Sequence, residues 1–307
     1  MDVISVQSLS KSFGSIQAVN ELSFSVSQGE IFGLVGPDGA GKTTTMRMLT
    51  GIMLPDSGTI KVLGKEVGLH SKSVKDEIGY MSQRFGLYPD LTVMENLRFF
   101  ADLYGVSRKE RESATERLLT FSRLSPFKDR PAGKLSGGMK QKLGLMCALI
   151  HTPKVLFLDE PTFGVDPVSR YDFWQILYQL LKEQVTIFVS TAYLDEAERC
   201  GRVGFMHKGS LLTSDSPANL KKRMMEKILE LELKENRRAA AFLQKEFGSR
   251  SVSVYGGRIH LAVKDYEKNS ETALKLLHAQ NIKVDAVRQV VPSLEDVFVS
   301  TLLSVEN

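Results

Sequence analysis

The sequence predicts an α/β domain over roughly the first two thirds of the chain and a small α+β domain after it. Three observations carry that expectation. The chain has 307 residues, about twice the usual domain length, which argues for two domains with ample material for a core. Short apolar runs alternate with longer amphipathic ones in the first part, the pattern of strands that feed helices. After Ser216-Pro217 the pattern changes to a self-contained set.

Taken in order, 31–35 is the clearest strand, and a glycine-rich turn and a helical run from near Lys42 follow it. That succession makes an anion site, because the turn's N–H groups and the positive end of the helix converge. A helical insert occupies about 94–150, and within it Ser107 and Glu110 have capping-box spacing that opens a charged helix to about Phe121. Strands follow at 154–159, 185–191, 203–207 and 210–214, with a long helix at 167–182 between the first two. The first domain is thereby expected at 1–218 and the second at 219–307. In the second, a strand at 227–234, a helix at 237–247, hairpin strands 251–255 and 258–263 around Gly256-Gly257, a helix at 271–280, a strand at 283–290 and a terminal helix at 293–303 are expected. The order βαββαβ is the split, ferredoxin-like arrangement.

The hydrophobic fraction of 42% and charged fraction of 25% describe an ordinary soluble globular protein. No run of apolar residues reaches the length of a membrane span, and the strongest, 155–158 and 186–189, are strand-sized. The amino terminus reads as neither a secretory signal nor a transit peptide, so the expected compartment is the cytoplasm. Cys147 and Cys200 make neither a disulfide framework nor a metal cluster, and each reads as a small buried residue. The net charge of +4 is spread evenly; without a basic stripe, nucleic acid is not the expected partner.

Gly36-Pro37-Asp38-Gly39-Ala40-Gly41-Lys42-Thr43, followed by Thr44, fits the phosphate-binding loop G-x-x-x-x-G-K-[ST]. Its glycines let the backbone wrap phosphate oxygens, Lys42 reaches the β and γ phosphates, and the Thr43 hydroxyl offers a ligand to Mg²⁺. The run 155–158 ends in Asp159-Glu160. Asp159 beside the loop can hold Mg²⁺, and Glu160 can act as general base toward the attacking water.

Leu135-Ser136-Gly137-Gly138-Met139-Lys140-Gln141 resembles the signature motif of ATP-binding-cassette (ABC) ATPases. The resemblance implies a P-loop ABC-type nucleotide-binding domain with a helical insert. It also implies that Ser136, Gly137 and Gly138 face the γ phosphate of a second protomer's ATP, in a homodimer or heterodimer of ATPase subunits. On its own chemistry, Ser136 reads equally as a helix N-cap. Phe13 matches the aromatic that stacks on adenine, and Gln83 the glutamine that contacts Mg²⁺ and water. The segment from Phe85 to Asn96 matches the part that meets a membrane subunit. Asp166, in Gly164-Val165-Asp166, matches the dimer-contact loop, although a turn opening a helix at Pro167 would look the same.

One position departs from the family. Ala192 stands where members usually carry a histidine that hydrogen-bonds the γ phosphate, and His70, His151, His207, His260 and His278 fall in unrelated elements, each read as a surface or packing residue. Three explanations are open: slow hydrolysis, pairing with a subunit whose own histidine serves the other site, or a neighbour such as Tyr193 or a water in its place.

The separation of Lys42 from Ser136 is too short for the coiled-coil arms of DNA-repair ABC ATPases. Asp38, Met139-Lys140 and the terminal 292–298 segment resemble the type-two exporters of drugs, lipids, polysaccharides and sodium. The implied function is the ATPase subunit of such an exporter, at the inner face of the membrane through an integral membrane permease. A non-transport ABC ATPase, ribosome-associated or regulatory, is the alternative.

Overall fold

The computed structural model describes residues 1–68, 72–84 and 86–306. His70 and Phe85 lie outside the described residues. The chain divides into two compact units, Met1–Ser214 and Asp215–Asn307.

In chain order the first unit holds β1 (Asp2–Phe13), β2 (Ile16–Ser27), β3 (Ile31–Val35), α1 (Lys42–Leu49), β4 (Ser57–Val62), β5 (Lys65–Glu66), α2 (Lys72–Lys75), β6 (Ile78–Met81), α3 (Val93–Leu103), α4 (Arg108–Ser122), α5 (Gly137–Leu149), β7 (Val155–Asp159), α6 (Pro167–Lys182), β8 (Thr186–Thr191), α7 (Leu194–Ala197) and β9 (Arg202–His207), with β10 (Ser210–Asp215) reaching the boundary. Six strands form one sheet in the order β10-β9-β3-β8-β7-β6. The pairs β3–β8, β3–β9, β7–β8 and β6–β7 are parallel. Every residue of β3, β7 and β8 is buried, which is why these strands read as unbroken apolar runs rather than alternating ones. The other sheet, β2-β1-β4-β5, is antiparallel.

The core lies between the sheets and α1. Ile4, Val6 and Leu9 of β1 share it with Phe32, Phe188, Met46 and Leu49. Phe24, Phe32 and Phe188 stack with ring centroids 5.4 to 5.7 Å apart. Burying one such side chain stabilises by about 1.5 to 3 kcal/mol, so this cluster fixes β3, β7 and β8 as a rigid floor. Capping boxes start α3 at Thr92–Glu95 and α4 at Ser107–Glu110, each with both reciprocal bonds formed.

The second unit holds α8 (Pro217–Arg223), β11 (Lys227–Glu232), α9 (Asn236–Phe247), β12 (Val252–Tyr255), β13 (Arg258–Val263), α10 (Tyr266–Ala279), β14 (Ala286–Val290) and α11 (Leu294–Glu306). Its sheet order is β12-β13-β11-β14, all antiparallel, so the unit has the split βαββαβ topology. Its core is separate, built on Leu229, Leu231, Leu243, Ile259, Leu261 and Leu277. Two element starts in this unit shift by three or more residues from the sequence expectation, and β11 ends at Glu232 rather than 234 and α11 at Glu306 rather than 303. α10 starts at Tyr266 rather than 271 because the Asp265 side chain caps it, accepting from Lys268 N at 3.1 Å. β14 starts at Ala286 rather than 283, after a turn in which Asn281 has φ +56°.

Candidate active site

The chain leaves β3 at Val35 and wraps tightly against its neighbours. A Cβ on Gly36 would lie 2.1 Å from the Met206 carbonyl oxygen of β9, and one on Gly41 would lie 2.3 Å from that of Ala18 on β2. Gly41 also has φ +105°, so only glycine fits this corner. Pro37, Asp38 and Gly39 form the exposed tip, closed by the bond from Ala40 N to Pro37 O at 3.2 Å. α1 follows with no side-chain cap. Its leading N–H groups, through Thr44, therefore lack intrahelical acceptors and present an anion-binding end.

Lys42, 4% exposed, extends back along the loop. Its Nζ donates to Gly36 O at 2.9 Å and Pro37 O at 3.1 Å, and pairs with Glu160 Oε1 at 3.2 Å. The Thr43 hydroxyl donates to Asp159 Oδ1 at 3.1 Å. Gln83, just beyond β6, donates from Nε2 to Glu160 Oε2 at 2.8 Å. Lys42-Thr43, Gln83 and Asp159-Glu160, three separate stretches of sequence, thus form one connected cluster at the C-terminal ends of parallel strands. That end of an open α/β sheet is where such folds bind ligands. Burial and the charge of Asp159 push the nearby Tyr80 phenol up to about 12.

Two further residues, one bonded into the cluster and one beside it, were missed by sequence reasoning. Ser190, fully buried on β8, donates from Oγ to Asp159 Oδ1 at 2.5 Å and accepts from Glu160 N at 3.1 Å. Glu196, also fully buried, accepts from the hydroxyls of Thr162 and Thr191 and pairs with Arg170 Nε at 3.5 Å. It ties the segment after Glu160 to the end of β8. The polar end of an apolar strand was the signal for Ser190; Glu196, which directly follows Asp195, offered none.

Phe13 is 47% exposed at the end of β1, on the hairpin whose Ala18 touches Gly41, and the Lys11 ammonium lies 5.8 Å from its ring centroid. Ser136 caps α5, its Oγ accepting from Met139 N at 3.3 Å. A Cβ on Gly138 would sit 2.4 Å from Ser169 Cβ, so the starts of α5 and α6 are pressed together. Asp166 caps α6 there, accepting from Ser169 N at 2.9 Å, and these bonds from Ser169 hold its carboxyl below the usual range. Ser136, Gly137, Gly138 and Asp166 thus share a second cluster.

Ala192 is exposed just past β8. The neighbouring Tyr193 ring packs under the Arg170 guanidinium, 4.5 Å from its centroid. His151 bonds Ile78 O at 2.9 Å beneath the stacked Tyr104 ring, His207 ends β9, and His278 is exposed on α10. His260 does more than pack: its ring lies edge-on to Tyr255, centroids 4.6 Å apart, and its two nitrogens meet the carboxylates of Asp296 at 3.1 Å and Glu230 at 3.2 Å.

Known proteins resemble this chain in sequence and in fold. The ABC transporter family model matches residues 19–163, and the model of the DrrA1-3-like ATP-binding protein C-terminal domain matches residues 216–302. The chain is 42% identical over 307 residues to the probable multidrug ABC transporter ATP-binding protein YbhF of Escherichia coli (strain K12), covering 98% of this chain and 52% of that protein. It therefore spans about half the length of that relative. It is 35% identical to the Nod factor export ATP-binding protein I of Rhizobium sp. (strain N33), covering 96% and 95% of the two chains. A solved ATP-binding subunit of an ABC transporter superposes with a TM-score of 0.65 at 29% identity, covering 72% of this chain and 92% of that one. The cbiO1 protein of Clostridium perfringens superposes with a TM-score of 0.67 at 26% identity, covering 72% and 91%. With a phosphate loop, an acidic strand end and a capped signature helix in one α/β unit, and with relatives that match nearly all of this chain, it belongs to the family of ABC transporter ATP-binding proteins.

Proposed function

We propose that the chain binds and hydrolyses ATP as the nucleotide-binding subunit of an exporter whose membrane-spanning part is a separate permease. The observation that carries this reading is the bonded cluster of Lys42, Thr43, Gln83, Asp159 and Glu160. Backbone N–H groups within 38–44 cradle the phosphates, Lys42 contacts the β and γ phosphates, and Phe13 stacks on adenine. Glu160, with Gln83 bonded to its second oxygen, takes a proton from the attacking water. Ser136, Gly137 and Gly138 complete the site of a second protomer, and Asp166 makes the contact between protomers.

The donor set fits Mg²⁺. Thr43, Asp159 and Gln83 all present oxygen atoms, and only Asp159 among them is charged. No group of three or more His, Cys, Asp or Glu that could hold a metal occurs among the described residues. Mg²⁺ suits such a set because it takes one or two carboxylates and completes its shell with phosphate and water oxygens. Bound there, it would neutralise charge developing on the transferred phosphate.

The export role is supported by the relatives' names. No helix among the described residues is long and apolar enough to cross a membrane, so a permease would supply the path and hold the chain at the membrane's inner face. The segment 86–96 is the face we assign to it. Tyr88 is 44% exposed and packs edge-on against Phe99 with centroids 4.5 Å apart. Asn96 pins that loop, accepting from Tyr88 N and donating to the carbonyls of Tyr88, Leu91 and Thr92.

Glu160→Gln tests the assignment. ATP binding is expected to persist, hydrolysis to fall by about 10² or more, and an ATP-bound dimer to accumulate in size-exclusion chromatography. A variant that stays monomeric in saturating ATP and hydrolyses at the parental rate overturns the assigned base. Co-purification with a multi-span membrane protein is expected; recovery with ribosomes from washed cytosol overturns the export role.

A further inference from the structure

We infer that Ser190 is a positioning residue that sets the metal-side carboxylate and the general base together; this rests on the proposed ATPase function. β7 and β8 run parallel with Asp159 and Ser190 as direct partners in the register. Partners in a parallel pair project to the same side of the sheet, which places a hydroxyl beside the carboxylate. Both residues are almost completely buried, at 1% and 0% exposure, and a carboxylate so enclosed requires hydrogen-bond donors.

The hydroxyl has one proton and two lone pairs, and the geometry assigns them. The proton goes to Asp159 Oδ1 at 2.5 Å, since a carboxylate can only accept. A lone pair then receives the N–H of Glu160 at 3.1 Å, and the same N–H is shared with the Ser190 carbonyl oxygen, also at 3.1 Å. Glu160 needs that clamp. Its φ is +47°, a left-handed conformation uncommon for a residue with a side chain, and this turn directs its carboxylate back to Lys42 and Gln83.

The other side-chain donor on Asp159 Oδ1 is Thr43, itself assigned to the cation. Ser190 is therefore the donor on Asp159 that is not a ligand. Fixing one carboxylate oxygen aims the other, which is how residues behind a metal's direct ligands tune it. One hydroxyl thus links the angle at which Asp159 meets a divalent cation to the backbone setting of the residue that activates water.

The test is a Mg²⁺ titration of the full chain in which ATP-analogue affinity by fluorescence, turnover and melting temperature are all measured. In EDTA the parent and Ser190→Ala are expected to bind the analogue alike. The Mg²⁺ concentration for half-maximal tightening of binding should rise about 10- to 100-fold in Ser190→Ala, with kcat lowered by a similar factor. Ser190→Thr, which keeps the hydroxyl, should restore both to within a few-fold. An unchanged Mg²⁺ requirement in Ser190→Ala overturns the inference. So does an equal loss in the Ala and Thr variants at the parental melting temperature. If Ser190→Ala does not fold, Ser190→Cys, which keeps the volume and weakens the donor, replaces it with the same two criteria. A parent that binds no nucleotide would instead overturn the ATPase reading, so the two failures are distinct.

Discussion

At the scale of single residues, the cluster shows which chemistry a sequence displays and which it hides. The phosphate loop is legible because a phosphate needs consecutive N–H groups, so its residues must be adjacent in the chain. Asp159 and Glu160 are legible because an apolar strand ends on them. Ser190 and Glu196 are not: each acts through partners more than 30 positions away, Asp159 for the first and Thr162 for the second, and a lone Ser or Glu carries no spacing to recognise. Ala192 is the converse case, a missing group visible only against the family pattern. Its exposure at the end of β8 leaves space for a larger side chain, and Tyr193 is engaged by Arg170. Ala192→His is expected to raise kcat by about 10² to 10³ without changing ATP affinity, since one positioned donor contributes about 3 to 4 kcal/mol to a transition state. Steady-state turnover beside equilibrium ATP binding checks this; an unchanged rate with altered affinity overturns it.

At the scale of elements, legibility followed regularity. The buried parallel strands β7 and β8 were readable as short apolar runs, whereas β1 and β2 received no bounds. Their pairing contains four register shifts, each of which breaks the two-residue alternation on which strand recognition depends. In the second unit the terminal helix is fastened by a charge cluster that no local pattern announced. Asp296 of α11 accepts from Ser293 N and Oγ and meets His260 Nδ1, while Glu230 of β11 meets His260 Nε2 and Arg288 Nε at 2.6 Å. Arg258 lies 3.6 Å from Glu230, and the Tyr255 hydroxyl 3.5 Å from Asp296. Burial opposes charge on all three central groups, but the pairing outweighs it. His260 is raised by Asp296 and Glu230, Glu230 is lowered by Arg288 and His260, and Asp296 is lowered by His260 and Ser293. A raised imidazole stabilises fully below its ordinary value of about 6.5 and loses that contribution as pH climbs through its folded value. The lowered carboxylates stabilise fully above their ordinary values near 4 and lose it as pH falls. The cluster should hold α11 best between about pH 4.5 and 6.5. Melting temperature of the second unit is expected to decline from there toward pH 9, and His260→Gln should flatten that alkaline arm; an equally steep decline in the variant counts against the assignment.

At the scale of the whole molecule, each unit carries its own core, and the second closes its sheet without a strand from the first. A fragment of residues 215–307 is accordingly expected to fold alone and unfold in one cooperative transition in urea. A broad, non-cooperative loss of circular dichroism would show that its core is insufficient. In the first unit, the pair between Lys42 and Glu160 has a consequence for the work cycle. The ammonium has three protons, and its partners are two loop carbonyls and the carboxylate that would activate water. A phosphate entering the loop can take the lysine by displacing that carboxylate, the one charged partner of the three. With Glu160 as the proposed base, arrival of the fuel and release of the trigger would then be one event, an interlock that would leave the engine unarmed whenever its tank is empty.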